Sequence, residues 1–81
     1  GIEFKLALGF TLQRAGRYEE AMAQAERTLE ALQSTSEFDQ AESDRLHLRI
    51  AWVLRPHGCA RALSLIEPRI ERLLTYPEVP T

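Results

Sequence analysis

With a single cysteine, Cys59, the chain cannot close an internal disulfide, and a reducing compartment follows as the default. Long apolar runs are missing as well: none approaches the ~18 residues that a membrane span needs, so a cytoplasmic chain without a membrane partner is expected. No signal peptide opens the sequence, which begins at Gly1 rather than Met. Asparagine is absent and lysine is reduced to Lys5, so nine of the ten basic side chains are Arg. There is no glycine-rich phosphate loop, no zinc-ligand spacing and no nucleophile elbow, which argues against an enzyme and against any metal or cofactor. His57 and Cys59 flank a turn, but a metal site requires three or four ligands, and no third lies close in sequence. Cys59 is expected to be a small buried hydrophobe. His57 and His47 are expected in solvent.

What is present fits one small domain or a piece of a longer chain. The 81 residues are 44% hydrophobic and 27% charged, with a net charge of −2. That net charge hides an asymmetry: residues 1 to 44 carry four basic and nine acidic side chains, residues 45 to 81 six and three. The total is too acidic for a dedicated nucleic-acid binder. A helical nucleic-acid-binding domain using the arginines between Arg45 and Arg72 is the alternative to a protein-binding one.

The hydrophobic period is helical almost throughout. Tyr18, Ala21, Met22, Ala25, Leu29 and Leu32 recur at three- and four-residue steps and predict a helix over 18–32, with Glu19 and Glu20 favouring its positive end. Ala15-Gly16-Arg17 is a tight break before it, because Gly accepts the left-handed conformation that ends a helix. Residues 2 to 15 form a helix with two apolar stripes, Phe4, Leu8, Leu12 and Ala15 on one side and Ile2, Leu6 and Phe10 on another. Ser34 to Ser36 reads as a linker, and Ser36 with Asp39 as a weak capping box opening a third helix over about 37–55. Pro56 ends that helix. A fourth begins near Cys59, and Pro68 inside its pattern predicts a kink or a two-piece helix. The fold class is therefore all-α: four helices in two antiparallel hairpins, about 2–33 and about 37–75, making one unit over 1–76 with residues 77–81 as an extended tail.

Leu8-Gly9, Leu12, Gly16, Tyr18 and Ala21 resemble the tetratricopeptide repeat, a helix-turn-helix unit with a Leu-Gly pair, a large residue three further on, a small residue at the turn, then an aromatic and a small residue. The resemblance implies that Gly9 and Ala21 let the two helices approach while Leu8, Leu12, Tyr18 and Ala25 fill the space around them. Ile50-Ala51, Leu54, Gly58 and Ala62 echo the pattern, but Cys59 and Ala60 stand where the aromatic belongs. The 42 residues from Gly16 to Gly58 exceed the ~34 of the standard unit. Longer units of this sort, with Ile50 to Arg55 followed by Ala60 to Leu63, look like the degenerate repeats of bacterial signalling proteins, such as regions preceding diguanylate cyclase domains or within large transcriptional activators. The resemblance implies a short stacked array, an α-solenoid fragment, that binds protein: itself as a homo-oligomer, neighbouring repeats of a longer chain, or a peptide segment. Some family members clamp a peptide carboxylate with Lys and Asn residues; with only Lys5 and no Asn, that activity does not transfer.

Two stacked pairs usually fall short of a closed core, since about three are needed for stability. Ile2, Leu6 and Phe10 at one end, and Leu65, Leu73 and Leu74 at the other, are the expected uncovered surfaces. Gly1-Ile2-Glu3-Phe4 reads as including residues of a cloning junction, in which case the first stripe reduces to Leu6 and Phe10. On the third helix, Arg45, Arg49 and Trp52 share a flank with Glu42 and form a candidate peptide site by charge-assisted bonds over an aromatic floor. The competing expectation pairs Glu42 with both arginines on a wet face and buries Trp52 in the core.

Overall fold

The computed structural model describes residues 1–77. Pro77 opens the expected tail, and residues 78–81 of it lie outside the described residues. Helix α1 runs Ile2–Arg14, α2 Tyr18–Gln33, α3 Gln40–Leu54 and α4 Cys59–Ile66; a 3-10 turn at Glu67–Arg69 leads into α5, Ile70–Thr75. The last three elements are one helix broken at Pro68, so the described residues form four helices and no strand. The break has the expected cause. Pro68 has no N–H to give to the Ser64 carbonyl four residues back, and the next carbonyl along, Leu65 O, accepts from Arg69 Nη1 at 2.8 Å.

Between α1 and α2 the chain reverses at Gly16, whose φ of +78° is the left-handed conformation that glycine adopts without strain. The third helix starts later than expected, at Gln40, because its cap is Asp39 and not Ser36. The Asp39 carboxylate accepts from Glu42 N–H at 2.8 Å, satisfying one of the donors a helix start leaves free. Residues 37 and 38 are instead a bend, with Thr35 Oγ1 accepting from Glu37 N–H and Phe38 packed against the core.

Helix α1 packs along α2, α3 packs against both, and α4 packs along α3. The core between them holds Ile2, Leu6, Ala21, Ala25, Leu29, Leu32, Leu46, Ile50, Val53, Leu54 and Leu65. The two stripes of α1 thus exchange their expected roles except at Leu12, which packs against the core as expected. Leu6, expected on an open flank, is 1% exposed, and Ile2 is buried with it. Phe10 is half-buried against the core. Leu8, expected inside the hairpin, is 40% exposed, Phe4 stands in solvent, and Tyr18 is exposed as well. Gly9 explains the choice. At about 100° per residue it falls in the same sector as Ile2 and Leu6 and far from Phe4 and Leu8. A Cβ added there would stand 3.3 Å from Val53 Cγ1, so this side of α1 is the one that can approach α3 closely.

Polar groups complete the fit. Gln13 Nε2 donates to the Trp52 and Val53 carbonyls at 2.8 and 3.3 Å, partnering α3's last turn. Buried Gln24 donates to Lys5 O and accepts from Arg27. At the second turn Gly58 N–H bonds Leu54 O at 2.7 Å, and a side chain at Gly58 would press on that carbonyl.

These placements set a contrast in stability. Leu6→Ala is expected to destabilise the fold by about 3 kcal/mol, the cost of an internal cavity, whereas Phe4→Ala should stay within about 0.5 kcal/mol. Urea denaturation of both variants checks the assignment of the inner stripe.

Candidate interaction groove

α3 carries two buried stripes, and one of them, Asp44, His47, Ala51 and Leu54, includes a carboxylate. Asp44 is 0% exposed. Its Oδ2 accepts from Arg72 Nε at 2.8 Å and from the Tyr76 hydroxyl at 2.7 Å; its Oδ1 accepts from Arg72 Nη2 at 3.1 Å and from Gln40 Nε2 at 3.0 Å. Arg69 Nε lies 3.7 Å away. A buried charge is tolerated only when paired and hydrogen-bonded, and these contacts meet that condition. Chief among them, the Arg72 hydrogen bonds hold the Asp44 carboxyl well below the usual carboxylate range against the opposing effect of burial. The same pair raises Arg72, and the bond to Asp44 raises the Tyr76 hydroxyl. Arg69, Arg72 and Tyr76, at three- and four-residue spacing, thereby clamp the last helix onto α3.

His47, one turn on, is 5% exposed and not in solvent as expected. Its Nδ1 lies 2.7 Å from Ser43 O, which fixes the proton there. Its Nε2 has no hydrogen-bond partner among the described residues. Burial, ahead of the neighbouring Arg69 and Arg72, pushes its pKa below the ordinary imidazole value.

The clamp leaves a groove on the outer side of the second pair. Leu48, Ala51 and Trp52 of α3 face Cys59, Ala62, Leu63 and Ile66 of α4. The depression continues past Leu48 and Ile66 to Ile70, Leu73, Leu74 and Tyr76, with Arg45 at its far end. Trp52 is 49% exposed and Leu74 79%; Leu63 and Ile70 are also exposed. Arg55 lies over the Trp52 ring at 4.5 Å, a cation–π contact that holds the indole at the groove mouth.

Of the expected end surface, Leu74 stands out, Leu73 is half-buried and Leu65 is internal. Cys59, expected buried, is exposed. His57 is exposed and packs on the Tyr18 ring at a centroid distance of 4.3 Å. Arg45, Arg49 and Trp52 do not form one site: Arg45 and Arg49 border a separate depression with Glu3 and Glu42. The expected pairing with Glu42 is replaced. Arg49 approaches Glu3 at 3.7 Å, and Arg45 donates to Pro77 O and lies 5.5 Å from the Tyr76 ring centre. Other arginines are engaged internally, Arg17 with Glu20 and Arg61 with Glu26. Among the described residues no group of three or more His, Cys, Asp or Glu side chains is placed to hold a metal. No helix there is long and apolar enough to cross a membrane.

Acid should unfold the protein in two stages. His47 binds a proton more readily unfolded than folded, so stability falls as pH drops through about 6.5. Asp44 stays charged in the fold, so its contribution is present above about pH 4 and is lost below it. Asp44→Asn should cost about 1–3 kcal/mol at neutral pH and flatten the lower stage; His47→Gln should flatten the upper. Thermal melts from pH 7 to 3 separate the two.

The chain matches no protein-family model, no curated protein and no solved structure.

Proposed function

We propose that the chain is a non-catalytic, cytoplasmic protein–protein interaction module built as two tetratricopeptide-like hairpins, part of a larger bacterial signalling or transcription-regulatory protein. The packing order supports the repeat reading: α3 lies against both α1 and α2, and small residues, Gly9, Ala21 and Ala25, stand at the buried contacts. The observation that carries the interaction reading is the uncovered groove between α3 and the last helix, where Trp52, Leu63, Ile70 and Leu74 remain exposed side by side. Contiguous exposed apolar surface of this kind marks an interaction site, and its shape suits a helix laid in a groove. The nucleic-acid alternative is disfavoured, because Arg17, Arg49, Arg61, Arg69 and Arg72 each lie within 4.0 Å of a carboxylate.

Trp52 is the single tryptophan and reports on the groove directly. A leucine-rich amphipathic helical peptide with Gln flanks should shift Trp52 emission to the blue, at low and at molar salt alike. Leu63→Glu with Ile70→Glu should abolish the shift while leaving helix content intact, and Leu74→Glu should weaken it. A response to duplex DNA that disappears with salt, and none to the peptide, would instead support phosphate binding.

A further inference from the structure

Taking the groove as an interaction site, which rests on the reading above, its charges select the occupant. The floor is apolar, and among the described residues every charged side chain that lines the groove and its mouth is an arginine. Arg55 stands at the Trp52 end, Arg45 at the Tyr76 end, and Arg14 borders the adjoining hollow beside Trp52; among the described residues no Asp or Glu lines any of these three depressions. Among the described residues neither Arg45 nor Arg55 has a carboxylate partner. Their guanidiniums are held by π contacts with Tyr76 and Trp52, which orient them without neutralising them. Ten residues apart, Arg45 on α3 and Arg55 capping its C-terminus, they are separated by roughly 15 Å along the helix axis, about three turns of a helix lying beside it.

A second copy fits this surface poorly. Groove against groove would face Arg45 and Arg55 with the same arginines. The exposed apolar stripe of α1, Phe4 and Leu8, is accompanied by exposed Lys5 and Arg14 and by one carboxylate, Glu3, which lies 3.7 Å from Arg49. The acidic helix α2 exposes Glu19, Glu20 and Glu30 but no large apolar side chain beyond Tyr18 at its start. The last helix does carry exposed Glu67 and Glu71, but its exposed apolar residues Leu63, Ile70 and Leu74 are the groove's own wall. We infer that the groove receives an amphipathic helix of another protein, its apolar face on Trp52, Leu63 and Ile70 and its Asp or Glu side chains, about three turns apart, paired with Arg45 and Arg55. The apolar contact supplies affinity, and the arginines choose partner and direction.

Two synthetic peptides with the same leucine stripe test this, one with Glu and one with Lys at the flanking positions, titrated against Trp52 emission. The Glu peptide should bind at least about tenfold tighter at low salt, with the difference shrinking at molar salt. Arg45→Glu with Arg55→Glu should reverse the preference, and Arg55→Glu alone, at an exposed position outside the core, should reduce it. Equal affinity for the two peptides, or an unchanged preference in the charge-reversed protein, overturns the acidic occupant while the groove itself stands. No response to either peptide from a fully helical protein overturns both. Trp52 burial that rises with protein concentration without peptide identifies a second copy and overturns the inference.

Discussion

The carboxylate of Asp44, sealed from water and clasped by Arg72, Tyr76 and Gln40, is the constraint on which the second half of the molecule depends. α5 has six residues and no residue classed as buried, so it has little apolar burial to hold it. A helix that short is not stable alone in water. Satisfying a buried charge supplies what the apolar contacts do not, since any displacement of α5 would leave Asp44 uncompensated, a costlier state than losing a surface ion pair. The Pro68 break belongs to the same device. It redirects the chain after Ile66 and presents Arg69, Arg72 and Tyr76 to α3, and with α5 in place its outer residues extend the apolar groove begun by α3 and α4.

At the other end of the molecule the deciding contact is steric. Gly9 brings α1 against Val53, and that approach selects Ile2 and Leu6 for the core over Phe4 and Leu8. The molecule consequently presents two unlike exteriors: a narrow stripe on α1 and a long groove on the last pair. Among the described residues the charged side chains that line the groove are of a single sign.

Much of the fold was legible in the sequence. The three- and four-residue period gave α1 and α2 almost to the residue, Gly16 and Pro56 gave the turns, and Pro68 gave the break, because each follows from local backbone chemistry. What escaped were choices made by distant partners. Two apolar stripes on α1 are equivalent until α3 arrives, and Gly9 was a clue to which one it would meet. Asp39 rather than Ser36 caps α3 because its carboxylate reaches Glu42 N–H, one of the donors that the start of this helix leaves free. Asp44 was hidden within an acidic stretch, although its position on a stripe with Ala51 and Leu54, and the matching spacing of Arg69, Arg72 and Tyr76, carried the signal. His47 followed it inside for the same reason. Of the candidate site, Trp52 and Arg45 reach the groove and Leu73 lines it, whereas Leu6 does not.

α5 is an integral part of the structure, fixed by one polar cluster. Native-state hydrogen exchange measured residue by residue, in the unaltered protein and in Arg72→Leu, addresses that most directly. Amides of Leu73 to Thr75 should be protected in the first and should lose protection selectively in the second, with α1 to α3 unchanged. Amides there that already exchange at the rate of an unstructured chain in the unaltered protein, or protection unaffected by the substitution, would contradict it.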